Sequence, residues 1–333
     1  MSSLLEQMPQ DARFPDKGRA RAGVLWWGRA AVTVALVAYL LWRLHDRIGT
    51  LQLHLAQPPA LGLAVGGAVV GVLLSVWLWR ILIPRNNLIP FRHLLAHYLL
   101  GLLWNNFLPG GVGGDAVRAI ALRRATGRAD VAVSSVLMSR LAGLWSIALM
   151  AAVAALIHAA RIGAGPALPL LLLAGGALIA TAAGTAFLFG APAVALMRRL
   201  PERWASWHAR LRDYRLGPSR LLEALGWALA IQVCAVGINL LAAQALGLPI
   251  TAWQLFLSLP LATLAALLPI SLGGFGVREG SYVFLLGLLG VRAADALVLS
   301  LAVYALLAVV TVAGAGVCLL LAPSPGSRPR PSR

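Results

Sequence analysis

Apolar residues run in long blocks along this chain, and the blocks are separated by short segments rich in arginine, proline and glycine. Six windows each supply roughly 20 or more predominantly apolar residues, enough to cross about 30 Å of hydrocarbon as a helix. They run from Val24 to Leu44, Ala60 to Ile83, Val131 to Ala159, Ala167 to Phe189, Leu221 to Leu246 and Ala294 to Leu321. Two further windows, Leu94 to Leu108 and Leu255 to Leu289, are shorter or interrupted. The pattern predicts an all-α, polytopic membrane protein with six to eight transmembrane helices, its membrane domain spanning residues 24–321 between tails at 1–23 and 322–333.

The two irregular windows carry the same motif. Leu108-Pro-Gly-Gly-Val-Gly-Gly-Asp-Ala-Val-Arg118 recurs as Leu268-Pro-Ile-Ser-Leu-Gly-Gly-Phe-Gly-Val-Arg278, matching as L-P-x-x-(V/L)-G-G-x-x-V-R. Proline followed by paired glycines ends a helix, and an arginine at the next helix start is expensive in lipid unless it is paired or used. Broken segments at matching places in two halves of a hydrophobic chain are a pointer to a substrate site in a transporter built from repeats. The halves are read as repeat 1, about 60–190, and repeat 2, about 220–321.

Composition reinforces the membrane reading, with 60% hydrophobic and 12% charged residues and a mean hydropathy of +0.82. The net charge of +17 does not point to nucleic acid: Lys17 is the single lysine among 28 basic residues, and the arginines gather between apolar windows. That is the positive-inside pattern. It places both termini, Arg85 and Arg92, Arg118 to Arg128, and the long basic connection around Arg198 to Arg220 in the cytoplasm. The charge-poor segments near Asp46 to Pro59, Arg161 to Pro166 and Gly247 to Thr251 then lie outside. If the six long windows span, the first motif window dips in from the cytoplasm and the second from outside, an inverted repeat with two Gly-rich broken or re-entrant hairpins. Eight crossings, with each motif a kink in a spanning helix, satisfy the same charge count and stay open. No cleavable signal peptide is expected, since the first window follows an Arg-bearing tail and is long enough to span.

The long connection has a pattern of its own. Over about 201–216, Trp204, Trp207, Leu211 and Tyr214 share a helical face, with Arg203, Arg210 and Arg212 between them. An interfacial helix lying on anionic headgroups and a plain basic loop with aromatic anchors both fit. The final tail, rich in Pro, Ser and Arg, is read as disordered.

Around the motifs the residue types suit anion binding. Gly110, Gly111, Gly113 and Gly114, and Gly273, Gly274 and Gly276 with Ser271, allow close backbone approach, and Pro109 and Pro269 mark hinges. Helix starts offer free amides, and Arg118 and Arg278 add forked donors suited to phosphate or carboxylate. Asp115 is placed to cap or begin the helix after the first motif. Glu279 follows Arg278, so each half carries one acid and one base. Arg140, about 15 Å into its window, needs a partner, either an acid or a substrate headgroup. Together with Asn105 and Asn106 these residues form the candidate substrate site. A pair of ion-paired helix breaks that simply pack together is the competing reading.

Other chemistry is not supported by the sequence. His93 and His97 have the spacing of two metal ligands but no third, so neither a metal nor a cofactor is expected. Cys234 and Cys318 stand in separate apolar windows and read as inert thiols. There is no Walker-type Lys-Ser/Thr after the glycines, no G-x-S-x-G, and no polar stretch long enough for a soluble catalytic domain.

The run Asn105 to Arg118, Arg140 in the next helix, and Pro269 to Glu279 resemble the transmembrane, flippase-like region of lysylphosphatidylglycerol synthetases and its stand-alone relatives, over about residues 24 to 321. In full-length synthetases this region precedes a soluble domain that transfers an amino acid from tRNA to a lipid, and the membrane part is associated with moving the product between leaflets. The resemblance implies a lipid-handling protein of the bacterial inner membrane, without aminoacyl transfer, whose partners are membrane lipids and, by relatives found beside hopanoid, glycolipid and envelope pathways, an enzyme of lipid or glycan synthesis. Neither the lipid nor the oligomeric state carries over. A non-transporting scaffold and a membrane-embedded transferase using Asp115 or Glu279 as base remain the alternatives.

Overall fold

The computed structural model describes residues 56–107, 113–190, 217–267 and 276–320. Among the described residues the fold is entirely helical. Its elements are α1 (Pro58–Ile81), α2 (Phe91–Phe107), α3 (Gly113–Thr126), α4 (Ala129–Ile162), α5 (Ala164–Phe189), α6 (Pro218–Ala245), α7 (Ala252–Ala266), α8 (Val277–Leu288) and α9 (Ala293–Leu320). Five of them, α1, α4, α5, α6 and α9, are long and apolar enough to cross a membrane, and they coincide with five of the six long windows. The window Val24 to Leu44 lies outside the described residues, as do both tails and the 201–216 segment with Arg203, Trp204, Trp207, Arg210, Arg212 and Tyr214. Large apolar side chains such as Leu63, Leu172, Ile179 and Val309 are exposed. With hydrocarbon as the surrounding solvent, these positions need no cover.

The motif helices are short. At 1.5 Å per residue, α2 with 17 residues and α3 with 14 reach about 25 and 21 Å. Likewise α7 with 15 and α8 with 12 reach about 22 and 18 Å. Within each pair the helices run antiparallel. Asn105 meets Gly114 and Tyr98 meets Arg118, while Leu94 and Leu122 share one buried cluster, so contacts move down α2 as they move up α3. In the second pair, Gln254 near the start of α7 donates to the Leu289 carbonyl just past α8 at 3.0 Å. Each motif therefore turns a hairpin, and the alternative of a kink within one spanning helix is set aside. In the first hairpin the two backbones approach closely because Gly101 and Gly114 carry no side chain.

The hairpins start from opposite ends of the bundle. One end gathers the start of α1, the end of α6 and the start of α7: Gln57 N donates to Ala245 O at 3.4 Å, and His158 and Arg161 of α4 lie against Trp253. The other end gathers Ile83, Leu94, Leu122 and Val131 in one cluster. Hence α2–α3 enters from the second end and α7–α8 from the first. The order single helix, hairpin, long helix occurs twice, as α1, α2–α3, α4 and as α6, α7–α8, α9, with the two sets pointing in opposite senses. Between α1 and α6 the seam is made of small residues, with Gly67 facing Ile238 and the Cys234 thiol 3.4 Å from the Gly67 carbonyl. The second end is the arginine-rich one, carrying Arg85, Arg92, Arg123, Arg124 and Arg128; there the Asp130 carboxylate, by hydrogen bonding, holds the Arg128 guanidinium above its ordinary pKa.

A polar pair fixes the second hairpin to the bundle. Tyr282 on α8 donates to Asn239 Oδ1 on α6 at 2.9 Å, both side chains being buried. Tyr282→Phe removes the donor and leaves that oxygen buried without one, which is expected to destabilise the protein by about 1–2 kcal/mol in thermal unfolding.

Candidate functional site

The first hairpin is closed by backbone contact. A Cβ on Gly101 would lie 2.8 Å from the Gly114 carbonyl oxygen, and one on Gly114 would overlap the Gly101 carbonyl oxygen. Asn105 then reaches across, its Oδ1 accepting from Gly114 N at 2.7 Å. Of the two roles expected of Asp115, capping or beginning the helix, the second holds: it stands in the first turn of α3. Asn105, on the neighbouring helix, takes the amide at the start of α3, because Asp115 is held elsewhere.

Asp115 is divided between two arginines. Its Oδ2 accepts from Arg140 Nε of α4 at 2.5 Å, and its Oδ1 lies 3.4 Å from Arg118 Nη1 one turn along α3. Arg118 is nearly enclosed. Its guanidinium carbon sits 4.4 Å from the Trp79 ring centroid and 4.8 Å from that of Tyr98, Nη2 approaches Ser139 Oγ at 3.4 Å, and Nε is buried without a hydrogen-bond partner. A cation between two π-faces is stabilised by both, more strongly the less water is present. The side chain of Arg118 is 10% exposed against 38% for Arg140. Of the two, Arg140 is the more accessible, and Asp115 holds both.

The second hairpin solves the same problem with different residues. Gly276 has φ of +79°, a left-handed conformation that glycine adopts without strain. Glu279, buried, accepts from Gly276 N at 2.6 Å through Oε2, which is half of a capping box. Its Oε1 receives both Nη2 and Nε of Arg278, at 2.5 and 3.2 Å. Arg278, 21% exposed, lies over the Tyr304 ring of α9 at 4.4 Å. In both hairpins, then, a carboxylate steers an arginine and an aromatic ring supports it.

The depths match. Arg140 stands eleven residues beyond Ala129, the first residue of α4, and Tyr304 eleven beyond Ala293, the first of α9. At 1.5 Å per residue each is about 17 Å from its own, opposite end of the bundle, near the middle of a hydrocarbon layer about 30 Å thick. The contacts form two groups, Asp115–Arg118–Arg140 and Arg278–Glu279–Tyr304. Pro109, Gly110, Gly111, Pro269, Ser271, Gly273 and Gly274 lie outside the described residues, as does the Asn106 side chain. Gly113 opens α3.

Comparison with known families decides the identity: residues 25–316 match the family model described as Lysylphosphatidylglycerol synthase TM region. The chain belongs to this family. No curated protein matches the chain. The family match covers both hairpins, four of the five long helices and α9 as far as residue 316, so in this family member the paired arginine groups sit within the shared domain. It is a multi-pass membrane protein of a lipid-related family.

Trp79, Tyr98, Ser139, Tyr304, Tyr282 and Asn239 were not signalled by the sequence. Each stands in an apolar block, where an aromatic or small polar residue reads as lipid-facing or as internal packing. Only tertiary contact reveals that Trp79 and Tyr98 flank one guanidinium. A weak signal was available for Tyr304, the one tyrosine in its apolar window.

Proposed function

We propose that this protein binds a phosphate-bearing membrane lipid at mid-depth, at Arg140 and Arg278, and carries its headgroup from one leaflet of the bacterial inner membrane to the other. The observation that carries this reading is the matched depth of Arg140 and Arg278, two partly exposed guanidinium groups on elements that enter from opposite ends, each steered by a buried or half-buried acid. A charge at that depth costs several kcal/mol unless compensated, so its presence favours use over accident. Arg140 and Arg278 hold the phosphate; Asp115 and Glu279 orient them; the basic end faces the cytoplasm. We assign no catalytic step and no cofactor to the chain. Movement is downhill, ion-coupled or driven by consumption of the product, and an enzyme of envelope lipid or glycan synthesis is the expected partner.

The test is transbilayer movement of labelled phospholipid in liposomes, comparing the wild type with Arg140→Gln and Arg278→Gln. Loss of a charge-assisted hydrogen bond, about 1.5–3 kcal/mol, predicts rates lower by roughly tenfold to a hundredfold. Equal rates in all three at equal insertion remove the transport reading and favour a scaffold.

A further inference from the structure

At the basic end, where α2 begins and α3 finishes, the first hairpin holds a cleft of about 400 Å³. His93, His97 and Arg124 line it, with Ile89, Pro90 and Ala121 as its apolar part. This is far along the hairpin from Asp115 and Arg140. Small-molecule sites run from roughly 300 to 1,000 Å³, so the space suits a headgroup. We propose that this cleft is a second site, which binds the phosphate of a lipid in the leaflet at the basic end through Arg124 together with His93 and His97.

Charge sets the sign of the ligand. Between residues 56 and 127 the only acid is Asp115, engaged at the opposite end of the hairpin by Arg118 and Arg140. The next, Asp130, is taken by Arg128 at 2.6 Å. Arg92, Arg123 and Arg124 are all exposed on this side, so an anion entering the cleft meets several cations, and among the described residues none lining the cleft is a carboxylate. Arg124 supplies a planar fork that matches phosphate oxygens.

The histidines supply ring N–H donors. His97 Nδ1 is buried and has no hydrogen-bond partner. A proton there would be a buried, unsatisfied donor, so the neutral ring carries it on Nε2 instead. His93 stands one turn away on the same face of α2. A metal would need a third ligand, and no group of three or more His, Cys, Asp or Glu capable of holding one occurs among the described residues. The apolar part of the cleft, Ile89, Pro90 and Ala121, favours an amphiphile over free phosphate.

The experiment uses the full chain in a non-ionic detergent, measuring affinity for dihexanoyl phosphatidic acid, dihexanoylglycerol, inorganic phosphate and Zn²⁺. Arg140→Gln protein serves as the background, so that the mid-depth site contributes little. In that background, adding Arg124→Gln or His93→Gln, both at exposed positions, is expected to weaken phosphatidic acid binding at least about tenfold, with an unchanged melting midpoint. Dihexanoylglycerol and inorganic phosphate are expected to bind at least about tenfold more weakly than the phosphatidic acid. Unchanged phosphatidic acid affinity in both variants overturns the proposal. Inorganic phosphate binding as tightly as the lipid, or tight Zn²⁺ binding lost in His93→Gln, overturns it too, in favour of a free-anion or a metal site. Failure of the mid-depth reading is separable: Arg140→Gln alone then behaves as wild type in binding and transport, while Arg124→Gln still weakens the lipid.

Discussion

Gly114→Ala is expected to destabilise the protein by about 3 kcal/mol, the upper part of the range for overpacking a closely fitted interior. The added methyl group would overlap the Gly101 carbonyl oxygen and come within 2.7 Å of the Asn105 side-chain amide. The obstacle is backbone, so no rotamer change relieves it. The hairpin must open by enough to admit a methyl group, which also stretches the Asn105–Gly114 hydrogen bond and moves Asp115, one residue on, away from Arg140. The loss should therefore appear twice, as a lower melting midpoint in detergent and as slower lipid movement in liposomes. Gly226→Ala on α6 is the control: a Cβ there meets nothing within 4 Å, and replacing glycine inside a helix is neutral or slightly stabilising. Equal melting of wild type, Gly226→Ala and Gly114→Ala would show that the two helices are not held by the Gly101–Gly114 contact.

The same pair of glycines shows what a linear sequence can carry. The motif made Gly114 visible as a place of close approach, but Gly101 sits inside an ordinary apolar run, and nothing local says that it faces Gly114. The long helices were legible because twenty apolar residues have few other uses, and the arginine pattern grouped Arg85, Arg92, Arg123, Arg124 and Arg128, which do share one end, but it also placed Arg118 with them, which is buried beside Asp115 instead. The hairpins were legible as breaks, while their antiparallel return rested on topology until packing decided it. Arg118 was recognised as a charge at depth, yet its placement between Trp79 and Tyr98 depends on three helices meeting. Asp115 was read as capping or beginning its helix because sequence displays neighbours along one helix; the ion pair with Arg140, 25 positions away, outweighs a capping bond once α3 and α4 pack.

Asp115→Asn tests the organising role of that acid, and its expected effect on transport exceeds that of any single arginine change. The substitution keeps size and one acceptor but removes the charge shared by Arg118 and Arg140. Breaking one side of a buried pair costs about 3–5 kcal/mol because the remaining charge stays uncompensated; with Arg140 38% exposed and able to recruit water or headgroups, the lower value is expected here. Adding Arg118→Met separates the two consequences. The methionine keeps an apolar body between Trp79 and Tyr98 while removing the stranded buried cation, so the double variant should recover much of the lost stability. Transport should not recover, since Arg140 still lacks the carboxylate that aims it at the ligand. If Asp115→Asn melts and transports like the wild type, Asp115 organises nothing, and Arg140 must be held by other means. If the double variant regains both properties, the acid serves only to neutralise Arg118, and the first hairpin contributes packing alone, leaving Arg278 and Glu279 as the ligand-facing pair.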